Sequence, residues 1–78
     1  MFTLVTQSPR GYSLYQDQAR HVLCVQCGSS NMYELCIALA PSDVQKVVED
    51  RAHLDDIADR IMYDPDQFAP YSIPSPLI

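Results

Sequence analysis

Cys24-Val25-Gln26-Cys27-Gly28 is the stretch of this chain whose residue types and spacing come closest to chemistry. Two thiolates three positions apart clamp one tetrahedral zinc when the backbone turns between them, and a following glycine eases that turn. Cys36 is available as a third sulfur and His21 as a fourth ligand, which defines one reading: a zinc-binding accessory module using Cys24, Cys27 and Cys36. The competing reading is packing. A second paired-cysteine motif does not occur, and in a continuous strand Cys24 and Cys27 point to opposite faces, where a cysteine serves as a small core residue. Thiol–disulfide catalysis asks for the pair at a helix start, where the dipole lowers the attacking thiol's pKa, and the flanking apolar alternation puts it in a strand instead. Three cysteines do not form a fully paired intramolecular framework, so the sequence predicts reduced thiols in a cytoplasmic protein.

The second candidate is His53, Asp56 and Arg60 along one helical side, with Asp55 and Asp59 beside them, an arrangement suited to an acid–base pair or a weak cation site. The simpler account is a solvated helix face. Four-residue spacing lets Arg51 meet Asp55 and Asp56 meet Arg60, while Asp55 and Asp59 repel unless something screens them. Tyr12, Tyr15 and Tyr33 offer apolar area with a hydroxyl, but their strand phases differ and do not converge on one pocket. Gly11 and Gly28 lack the spacing and the lysine of a phosphate loop, and two histidines do not assemble a nucleophilic triad. An enzyme of unidentified type therefore has no motif behind it, and no catalytic residue, cofactor or metal ligand is assigned.

These residues must be positioned by two unlike halves. Residues 1–40 balance Asp17 and Glu34 against Arg10 and Arg20, whereas residues 41–78 hold eight acids and three bases, so the net charge of −5 lies entirely in the second half. The first half alternates as strands: Phe2 to Thr6, Tyr12 to Tyr15, His21 to Cys27 and Met32 to Leu39, separated by the turn formers Ser8-Pro9-Arg10-Gly11, Gln16-Asp17-Gln18 and Gly28-Ser29-Ser30-Asn31. Short links make an antiparallel meander the economical topology.

After Pro41 the period changes. Ser42 with Gln45 three residues on suits a helix entrance, Asp43 favours the dipole's positive end, and Val44, Val47 and Val48 share a side. Glu49-Asp50-Arg51 interrupts this pattern before Leu54, Ile57, Ala58 and Ile61 restore it as far as Met62-Tyr63. The predicted fold class is α+β: a four-stranded antiparallel sheet with one helical layer of one bent or two short helices. It comprises a domain over residues 1–67 and a proline-rich apolar tail over residues 68–78, expected to be extended because proline removes amide donors and restricts its predecessor.

Function follows only by elimination and charge. An acidic chain with five scattered bases repels phosphates, which excludes nucleic acid, and neither a long apolar run nor a basic leader points to a membrane. Strands three and four are apolar on both faces, which calls for a second cover, either the tail or a second subunit. The sequence thus predicts a homodimer through the second sheet face, tested through the Leu23/Val25 and Tyr33/Leu35/Ile37 series, with the acidic helices turned toward a basic protein partner. The functional expectation is a small acidic adaptor, inhibitor or regulatory subunit acting by protein binding.

Overall fold

The computed structural model describes residues 2–28 and 32–73. It contains four strands, β1 (Thr3–Ser8), β2 (Tyr12–Asp17), β3 (Arg20–Cys27) and β4 (Tyr33–Ala38), then the helices α1 (Pro41–Glu49), α2 (Ala52–Tyr63) and α3 (Pro65–Phe68). The strands form one antiparallel sheet in the order β1-β2-β3-β4, the expected meander. β2 runs two residues beyond its expected end, because Gln16 and Asp17 pair with His21 and Arg20. The chain reverses at Gln18-Ala19, and Gln18 takes a left-handed φ of 55° without being glycine. Most of the expected turn after Gly28 lies outside the described residues.

The register in β1 shifts between Leu4 and Thr6, so that Leu4 faces Tyr15 and Thr6 faces Leu14 while Val5 is the extra residue of a bulge. Such a bulge bends an edge strand and re-aims its side chains. At the other edge, the Ile73 N–H donates to the Cys36 carbonyl at 2.8 Å, and Ser72 bridges Ile37 in antiparallel sense. The expected extended tail is therefore corrected at its start. Phe68 closes α3, residues Ala69–Tyr71 form a single 3-10 turn and Ser72 is extended, while residues 74–78 of the expected tail lie outside the described residues. The cause is proline itself: Pro65 and Pro70 each occupy a first-turn position, where no amide is needed and the fixed φ is already helical.

The helical layer differs from the expected one bent or two short helices: residues 41–63 form two separate helices, and α3 adds a third that the sequence reading did not include. Asp50 adopts extended dihedrals, and its carboxylate accepts the Ala52 N–H at 3.0 Å, satisfying a free donor at the start of α2. The entrance to α1 differs from the sequence reading. Pro41 is already helical, the preceding Ala40 is the N-cap, and no side chain caps it, so Ser42 and Gln45 do not form the expected box. α2 stops at Tyr63 because Asp64 precedes Pro65 and leaves the helical region.

β3 is buried on both faces. Leu23, Val25 and Cys27 join Tyr12, Leu14, Leu35 and Ile37 beneath Val47, Leu54, Ile57, Ala58 and Ile61 of the helices, with Phe68 packed at the margin. Val22 and Cys24 face the other way, with Tyr15, Cys36 and Phe2. The inward series of Leu23, Val25, Leu35 and Ile37 is thus the helix-covered face, a correction to its assignment as a dimer surface.

The tight β1–β2 connection depends on Gly11, whose φ of 107° disfavours any L side chain. A Cβ there would meet Gln26 Cβ and the Met62 methyl at 3.6 Å, which is ordinary contact, so the backbone conformation rather than crowding sets the cost. Gly11→Ala is expected to lower unfolding free energy by about 1–2 kcal/mol, read from the urea midpoint at unchanged slope.

Candidate functional site

The clearest polar constellation joins the β1–β2 turn to α2. Asp55 and Asp59 lie one helical turn apart and would repel, yet Arg10 reaches across from the turn between them, 2.5 Å from Asp59 and 4.0 Å from Asp55. The Tyr12 hydroxyl donates to Asp55 at 2.6 Å, so the second carboxylate is held from the sheet as well. The screening expected from water or a partner is supplied by the chain itself. The Arg51–Asp55 and Asp56–Arg60 pairs suggested by four-residue spacing are not among the ion pairs of the described residues. Arg10 was missed because it is 49 positions from Asp59 and no periodicity connects a turn to a helix.

The proposed acid–base side of α2 also comes apart. His53 Nε2 lies 3.4 Å from Asp43 Oδ1 on α1, tying the two helices together rather than addressing Asp56 or Arg60. The three tyrosines separate as their phases required: Tyr12 is buried under the helices, Tyr15 is buried on the opposite face, and Tyr33 stays at the exposed rim.

The cysteines follow strand alternation rather than the paired motif. Cys27 belongs to the helix-facing core, where burial pushes its thiol above the usual range and keeps it protonated. Cys24 lies on the other face, directly opposite Cys36 with their Cα atoms 4.0 Å apart, and these two are joined as a disulfide. Cys24 and Cys27 therefore cannot clamp one zinc, and the expectation of three reduced thiols is corrected. Glu34 lies close to both sulfurs, the three donor groups falling within 4.8 Å of one another. In the disulfide, however, neither sulfur is a thiolate available to a metal.

Around this bond the outer face is already dry. Val22 is 2% exposed and Cys24, Cys36 and Tyr15 are also buried within one chain, so no second subunit is required to remove them from water.

Exposed aromatic side chains flank α3, where the end of α2 and the 3-10 turn pack against it. Tyr63 is 93% exposed and Tyr71 69%, with Met32 and Tyr33 also in solvent. Asp64 and Asp66 lie between Tyr63 and Tyr71 in the chain, without an ion pair among the described residues. Desolvation, with lesser coulombic contributions from Cys27 and then Asp66, holds the Tyr33 hydroxyl above its ordinary pKa. No helix among the described residues is long and apolar enough to cross a membrane. Compared with known proteins, the chain matches no family model, no curated protein and no solved structure.

Two measurements check this geometry. Burial, and then the bond to Asp55, raises the Tyr12 pKa from its ordinary value of 10.0. A folded-state pKa above the unfolded one gives stability that is complete below pH 10 and is lost as pH rises through the folded value. Unfolding midpoints measured upward from neutral pH should fall with a steeper slope above pH 10 in the native chain than in Tyr12→Phe. Thiol titration of the denatured, unreduced chain should find one reactive group, Cys27, and three after reduction.

Proposed function

We propose that this chain is a small acidic adaptor, inhibitor or regulatory subunit that acts by binding protein. Its docking surface is the segment around α3, with Tyr63 and Tyr71 on either side of Asp64 and Asp66, and its partner presents basic residues there. The observation that carries this reading is the exposure of Tyr63 and Tyr71 on either side of α3, a segment whose acids make no ion pair among the described residues. Tyrosine supplies most of the energy of a docking surface when a partner excludes water from it, since its apolar body is buried while the hydroxyl keeps a hydrogen bond. Charge does a different job. Unpaired carboxylates steer a basic surface toward the site and fix its register, chiefly through the rate of encounter.

The homodimer is not carried into this proposal, because the apolar face that motivated it is buried within one chain. The bonded Cys24–Cys36 pair also weighs against cytoplasmic residence, since the cytosol keeps thiols reduced.

The test is quantitative crosslinking of the intact chain in native extract, comparing it with Tyr63→Ser/Tyr71→Ser and with Asp64→Asn/Asp66→Asn. A basic protein retained stoichiometrically should be lost at least about tenfold in the tyrosine variant, as expected when central aromatic contacts are removed. The asparagine variant should associate more slowly and with a weaker dependence on salt. Equal retention of the same proteins by the native chain and the tyrosine variant rejects the surface.

A further inference from the structure

Against the sheet, α1 is incompletely seated. Of the valines on its apolar side only Val47 is buried, at 5% exposure, while Val44 is half-buried and Val48 is 77% exposed. The main neighbour of α1 is α2 rather than the sheet. Between α1 and the sheet lies a cavity of about 350 Å³, with an apolar wall made by Val5, Leu14, Leu39, Val44, Val47 and Val48. Val5 reaches that wall because the bulge in β1 turns it to the same side as Leu14.

The polar side of the same cavity is Gln16, His21 and Arg51, and Gln16 spends an amide N–H on the Gln18 carbonyl. The Nδ1 atom of His21 is buried and has no hydrogen-bond partner among the described residues, a state that costs free energy unless something fills it. Arg51 has no ion pair among the described residues, although Asp55 stands at the favourable spacing. Asp55 is engaged elsewhere, by Tyr12 and Arg10. An apolar chamber thus carries one uncommitted guanidinium and one unsatisfied ring nitrogen.

We propose that this cavity binds a medium-chain monocarboxylate, with its hydrocarbon tail among the valines and leucines and its head group at Arg51 and His21. The volume falls at the lower end of the roughly 300–1,000 Å³ range of small-molecule sites, which suits a short acyl chain and excludes larger cofactors. Guanidinium and carboxylate match as two parallel hydrogen bonds, and His21 in the tautomer protonated at Nδ1 supplies a further donor. A single cationic side chain balances a single negative charge, whereas a phosphate dianion would leave excess charge beside a chain whose second half is strongly acidic. The site is separate from the tyrosine-bearing surface, so the two assignments stand or fall independently.

Calorimetric titration of the full chain with sodium octanoate tests the assignment. One molecule should bind with a dissociation constant of about 10–100 µM, the strength that efficient contact allows a ligand of about ten heavy atoms. Arg51→Gln, at an exposed position, should weaken binding at least about tenfold, as should replacing octanoate by neutral octanol, whereas Arg60→Gln should leave it unchanged. Val44→Trp should fill the cavity and abolish binding, with retention of fold checked by circular dichroism. Should that variant fail to fold, Arg51→Gln and octanol decide the matter alone. Absence of saturable binding up to about 5 mM, or octanoate binding that is indifferent to Arg51→Gln or equalled by octanol, overturns the proposal.

Discussion

The two-sided burial of β3 is the constraint on which the rest of this structure depends. Leu23, Val25 and Cys27 require a helical layer on one side, while Val22 and Cys24 require removal from water on the other. A chain of 78 residues has little material with which to meet both demands. The main helix, α2, is spent on the inner face, where Leu54, Ile57, Ala58 and Ile61 all reach the core. On the outer face the cluster is small, and its centre is the covalently joined Cys24–Cys36 pair with Phe2 packed at its side. What is left over is α1, which has only Val47 fully seated and so leaves space against the sheet.

The elements were legible where local pattern and tertiary demand agree. Alternation in β2, β3 and β4 gave the strands and their faces, and the interruption at Asp50 separated two helices, because Asp50 both breaks the pattern of α1 and caps the start of α2. The misreadings involve residues with two permitted roles. Pro41 marked a boundary in the sequence but occupies the first helical position, and Pro65 and Pro70 open short helical turns where continuous extension was expected. Proline excludes itself from helix interiors and fits helix starts, and only the surrounding fold selects between these uses.

Site features were harder to read, for a different reason. That Cys24 and Cys27 oppose each other follows from strand period alone, whereas the pairing of Cys24 with Cys36 needs the register of β3 on β4, which a four-residue turn signal does not set. Arg10 belongs to a turn and compensates a helix, so the charge pattern within α2 suggested partners that the folded chain does not use. Tyr71 reaches the sheet only because the 3-10 turn leads into the pairing of Ser72 with Ile37, toward the end of β4 remote from Tyr33. The cavity depends on how far α1 stands from the sheet, a distance that no sequence spacing encodes.

The short pairing of Ser72 and Ile73 with β4 has a consequence for how copies of this molecule can meet. A sheet with two free borders can extend by head-to-tail addition without limit, each copy donating one border and accepting at the other. Here the β4 border is already occupied at Cys36 and Ile37, and the β1 border is kinked at Val5. What stays open among the described residues is the stretch of β4 from Tyr33 to Leu35 and the bulged β1, and a copy that paired with either would meet an interrupted edge. Both borders are thereby shortened as templates, which disfavours continuous strand addition to an apolar, two-sided sheet.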